Sequence, residues 1–111
     1  MDRISNPRSA GCDFGFDTMV VGIMSLRIVI PGARSLKDKR RALRSVKDRL
    51  RSQFNVSVAE VDSQDLWQTA LLGISAVGTD RAFVEGLLDK AAQVVRQSRD
   101  VQLAKCEKDF V

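Results

Sequence analysis

The sequence predicts an α+β domain: a four-stranded antiparallel sheet with two helices on one face. Three observations predict it. Runs rich in β-branched residues alternate with stretches whose apolar residues recur at helical spacing, in the order β-α-β-β-α-β. Pro31-Gly32, Gly78 and Ser98-Arg99-Asp100 punctuate the runs where the chain must turn. A chain of 111 residues is long enough for one core and too short for two stable ones. Right-handed crossovers then give the split βαβ, or ferredoxin-like, arrangement with strand order 4-1-3-2.

The first strand is read over Val20 to Ile30 and ends at Pro31, which cannot donate to a ladder. Ser35 is placed as a helix N-cap, with Asp38 three residues on in capping-box position. The first helix runs to about Ser52, with Leu36, Leu43, Val46 and Leu50 on its apolar stripe. Asn55 to Asp62 is the second strand, and Ser63-Gln64-Asp65 a turn. Leu66 to Val77 is the third strand, with Gly73 as a candidate bulge. Thr79 is expected to cap a second helix reaching about Gln97, burying Phe83, Leu87, Leu88, Ala91, Val94 and Val95. Val101 to about Lys108 is the last strand.

Residues 1–18 contain Asn6-Pro7, Gly11 and Gly15 and no continuous apolar stretch. They are expected to be a mobile N-terminal extension, with a single folded domain over residues 19–111. Cys12 and Cys106 show no CxxC or Cys/His spacing, which reads as a reduced, cytoplasmic protein. No apolar run approaches the roughly 20 residues that cross a bilayer, so no membrane partner is expected. The chain has no His and no Tyr, which excludes Ser-His-Asp triads, His-containing zinc sites and Tyr acids. The expectation is a non-enzymatic protein with no catalytic residue, no metal and no cofactor.

The formal net charge is +4, and its distribution is uneven. Arg34 to Arg51 holds nine basic and two acidic residues, or +7, leaving −3 for the rest. Lys37, Arg40, Arg41, Arg44, Lys47 and Arg51 fall on a helical sector adjoining the apolar stripe. With Arg34 and Lys39, these are the candidate nucleic-acid-binding residues, since Arg and Lys make most phosphate contacts. The competing reading is a solvated helix face. Lys39 lies near the apolar sector, so its stem is expected to pack. Cations in the first turn oppose the helix dipole, which leans toward a functional reason for Lys37 and Lys39. Glu60, Asp62, Gln64, Asp65 and Gln68 form a second polar group around the hairpin, and turn chemistry explains it better than a metal or acid–base site.

Strands one and three are apolar at both parities, which predicts burial on both sheet faces and a homodimer covering the helix-free one. RNA-recognition motifs share this topology but stack bases on central-strand aromatics. Strand one here has no aromatic, and the RNP1 pattern is absent, so that mode is excluded. Trp67 is read as core or interface packing.

Three stretches in this order resemble the YlxP-like family of small bacterial proteins: Pro31-Gly32-Ala33-Arg34-Ser35-Leu36-Lys37-Asp38-Lys39-Arg40-Arg41, then Phe54 to Val61, then Gln64-Asp65-Leu66-Trp67-Gln68. The resemblance spans about Met19 to Val111 and implies a ferredoxin-like fold. Genes of such proteins often neighbour those for translation initiation and ribosome maturation, which implies an RNA or ribosomal partner. Similar proteins can carry His where this chain has Ser63, a departure that argues further against acid–base chemistry. The function expected is therefore RNA or ribosomal-subunit binding through the basic first helix. The alternative is a dimeric protein-interaction module using the apolar sheet face.

Overall fold

The strand β1 (Val20–Val29) has Met24, Leu26 and Ile28 buried on one face, with Ile30 just beyond it. This computed structural model describes residues 18–62 and 66–111. The expectation of a mobile extension over residues 1–18 falls outside the described residues, apart from Thr18. After the Pro31-Gly32 turn come α1 (Leu36–Gln53), β2 (Ser57–Asp62), β3 (Thr69–Gly78), α2 (Arg81–Arg96) and β4 (Gln102–Phe110). The sheet order is β2-β3-β1-β4, all antiparallel, with β1 and β3 central. This is the ferredoxin-like arrangement. Both helices pack on the face bearing Met24, Leu26, Ile28, Leu72 and Ile74, and the core lies between.

Strand β1 pairs with β3 from Val20↔Gly78 to Val29↔Thr69. One more bond follows, from Ile30 N–H to the Gln68 carbonyl at 2.8 Å. Pro31 has no N–H to extend the ladder, so β3 begins at Thr69 rather than Leu66. Trp67 therefore stands before the strand, half exposed, and is not a core residue. Gly73 is regularly paired with Ser25. The bulge expected there lies in β2 between Glu60 and Asp62, and a second register shift falls between Arg27 and Ile28 against β4. Val61 leans over Gly73, where an added Cβ would sit 3.1 Å from Val61 Cγ1.

Helix α2 is capped by Asp80 rather than Thr79: its carboxylate accepts from the Phe83 N–H at 3.0 Å. A carboxylate also suits the positive end of the helix dipole. Val84, Leu88, Ala91 and Val95, at intervals of four, three and four, are buried with Ala92. Phe83 falls one residue outside this stripe and lies across Gly78, 62% exposed. Where α2 crosses β1 the chain needs Gly22, since a Cβ there would sit 2.6 Å from Val84 Cγ1 and 2.9 Å from Leu88 Cδ1.

The other sheet face carries no element of the described chain. Ile23, Val61 and Val77 remain exposed on it. Among the described residues, burial on both faces is thus not achieved.

Candidate nucleic-acid interface

Helix α1 starts as its residues dictate. Ser35 is extended, and its Oγ accepts from the Asp38 N–H at 3.1 Å. The Asp38 carboxylate accepts from the Arg34 N–H at 3.0 Å, closing the turn that leads from β1. A first-turn acid also offsets the unfavourable placing of Lys37 near the dipole's positive end. At the far end, the Phe54 N–H donates to the Leu50 carbonyl.

Gln68 braces the same turn from outside. Its Nε2 donates to the Ala33 carbonyl at 3.1 Å and, more weakly, to that of Pro31 at 3.4 Å. The start of α1 is thereby tied to the segment entering β3.

The structure divides the eight candidate cations. Arg40, Arg44, Lys47 and Arg51 follow one another at intervals of four, three and four, so they share one helix face. Together with Leu43, Asp48 and Glu60 they line a groove of about 340 Å³ between α1 and the edge of β2. Arg51 is anchored there, donating from Nη2 to the Val58 carbonyl at 2.8 Å. Lys37 is exposed on the flank of this row. Arg34 is exposed just ahead of the helix. Arg41 is directed to another side, where it lines a depression with Asp38, Arg99 and Asp100.

Lys39 leaves the set. It is 1% exposed, and its Nζ lies 2.8 Å from Glu60 Oε2. An ammonium enclosed in this way cannot reach a phosphate. The signal was present in the spacing: Lys39, Leu43, Val46 and Leu50 recur at four, three and four, on the core stripe. A lysine there needs an acid partner. Glu60, two residues beyond buried Val58, points to the same side of β2 and supplies it.

The hairpin group is likewise separated. Glu60 belongs to the core-side ion pair, Gln68 to the brace, and Asp62 ends β2. Gln64 and Asp65 lie outside the described residues. Among the described residues no three His, Cys, Asp or Glu side chains converge as metal ligands. No described helix is long and apolar enough to cross a membrane. Arg49 was not among the candidates; it donates to Ser98 Oγ at 2.9 Å and fastens α1 to the turn before β4.

The ion pairs formed among the described residues engage Lys39, Lys105 and Lys108 and omit Arg40, Arg41, Arg44 and Lys47. The row is thus cationic in effect as well as in composition, although Asp48 sits within its groove.

Residues 21–108 match a family described as "Protein of unknown function (DUF503)". The chain is 31% identical over 83 residues to YlxP of Bacillus subtilis (strain 168), covering 75% of this chain and 90% of that protein. Among solved structures, a de novo designed protein, Foldit4, aligns with a TM-score of 0.48 and 13% identity over 84% of this chain and 96% of that one. A C-terminal segment of the alpha subunit of aIF2 from Pyrococcus abyssi aligns with a TM-score of 0.46 and 19% identity over 84% of this chain and 49% of the other. The stretches that carried the resemblance meet in space, Lys39 with Glu60 and Gln68 with Ala33. The chain belongs to the DUF503 family of YlxP-like proteins.

Proposed function

We propose that this protein is a non-enzymatic RNA-binding module that docks on structured RNA or a ribosomal subunit in translation or ribosome maturation. The observation that supports this is the row Arg40, Arg44, Lys47 and Arg51 along one groove, with Lys37 on its flank. Successive cations on one helix face have Cβ atoms about 5–6 Å apart, so they present a continuous row to a phosphate backbone. The groove offers no aromatic side chain, so its contacts are to the phosphate backbone and carry little base preference. Lys39 takes no part. By holding α1 against β2 it sets the angle at which the row is presented.

Cosedimentation with ribosomal subunits over a salt series tests the reading. About four phosphate contacts give a log–log slope near −3. Arg40→Glu with Arg44→Glu should make the slope less steep by about 2 and abolish association at moderate salt. Both side chains are exposed, so the melting temperature should stay put. Absence of association at about 50 mM salt, where electrostatic binding is strongest, would discard the proposal.

A further inference from the structure

The helix-free sheet face has a graded profile in both shape and charge. Its middle holds a depression of about 500 Å³ with a mainly apolar lining. The register explains it. Gly73 lies opposite Ser25, and Ser25 lies opposite Glu107, so one row across the sheet is short and acidic. Two residues along each strand, Leu71 lies opposite Arg27, and Arg27 opposite Lys105, so the next row is tall and basic.

These two rows complement each other. A two-fold axis lying across the strands, between the rows, turns a second copy so that its tall row meets the short row of the first. Leu71 then meets Val61 where it leans over Gly73, while Arg27 stands over Ser25 and Lys105 over Glu107, each pair occurring twice, as in any isologous contact. The twist of aligned sheet packing rotates the pairs by about 30° without exchanging the rows. Within one chain Lys105 and Glu107 already lie 3.5 Å apart, but both are about two-thirds exposed (67% and 65%). Such a pair contributes little until water is excluded from it.

We propose that a second copy of this chain covers the helix-free face, related by that two-fold axis. The size fits. Four strands at about 4.8 Å spacing and about 30 Å long present roughly 600 Å² in projection, of the order of the 800 Å² or so each partner buries in a stable interface. The charge fits as well. Glu107 and Asp109 rim the depression and repel a phosphate backbone, while they attract the partner's Arg27 and Lys105. The apolar side chains left exposed here, Ile23 and Val61 among them, are removed from water in the dimer. This inference is independent of the RNA-binding reading, which uses α1 on the opposite side of the sheet.

Sedimentation equilibrium of the full chain tests it. Wild type should show a mass of twice 12.3 kDa at about 100 μM. Lys105→Glu, which sets like charges face to face twice per dimer, should weaken association about tenfold or more. Lys105→Glu with Glu107→Lys should restore it, because the swap recreates both pairs. Arg40→Glu with Arg44→Glu should leave the mass unchanged. A monomer across the whole range overturns the proposal and leaves the face to a different partner. A dimer indifferent to Lys105→Glu overturns it too, by placing the interface elsewhere.

Discussion

The two βαβ-like halves of the molecule fasten their helices to their outer strands in opposite ways. In the first half, Lys39 comes from α1 and Glu60 from β2, and the lysine is wholly enclosed. In the second, Lys108 comes from β4 and reaches Glu85 and Asp89 on α2, with its side chain 25% exposed. The helix supplies the cation in one half and the acids in the other. What remains on each surface follows. The acid from β2 neutralises an enclosed lysine, and the ion pairs formed among the described residues leave out the outward Arg40, Arg41, Arg44 and Lys47. The acids of α2 are matched by a strand lysine at the surface. Equivalent topology therefore carries two different fastenings, one enclosed beneath its helix and one at the surface.

The largest expected effect breaks the first half. Lys39→Ala should lower the unfolding free energy by about 3 kcal/mol, because it leaves Glu60 facing the core without its cation. Lys39→Met with Glu60→Leu should recover stability to within about 1 kcal/mol, since a well-packed apolar pair replaces a buried ionic one at little cost. Urea midpoints at constant slope measure both. A harmless Lys39→Ala would mean that the pair does not hold α1.

The next effect asks whether α2 is held by contact rather than charge. Gly22→Ala places a methyl 2.6 Å from Val84 Cγ1 and 2.9 Å from Leu88 Cδ1. A cost of about 1–3 kcal/mol is expected. An unchanged thermal midpoint would show that α2 can slide on β1.

The smallest effect lies in the second half's ion cluster. Lys108→Met should cost less than about 1 kcal/mol, as exposed pairs do. Its hydrogen bonds to Asp89 and Glu85 raise the Lys108 pKa above the ordinary 10.5. Because the folded value is the higher one, the stabilisation is fully present below pH 10.5 and fades as pH rises through the folded value. Wild type should lose stability in that alkaline window more steeply than Lys108→Met. Parallel pH profiles would show that the cluster contributes nothing.

Much of this architecture was legible in particular residues. Ser35 capped the helix it was expected to cap, because a short hydroxyl before an apolar-periodic run satisfies a free N–H wherever it occurs. Thr79 was passed over for Asp80, since two adjacent capping residues differ by one position and the packing of Val84 and Leu88 selects the register of the whole helix. Phe83 left the core for the same reason. The row of Arg40, Arg44, Lys47 and Arg51 could be read from spacing alone. Its depletion by Lys39 could be anticipated from the apolar stripe, and the identity of the partner could not, because Glu60 lies a strand away.

By itself the sequence determined the order of strands and helices, the cationic face of α1 and the turn at Pro31-Gly32, since periodicity and turn chemistry act between near neighbours. Tertiary structure alone decided that Gln68 would brace that turn, that Val61 would lean over Gly73, and that short and tall rows would lie side by side on the helix-free face. Those outcomes depend on strand register, which pairs residues far apart in the chain and shifts every side chain when it slips by one.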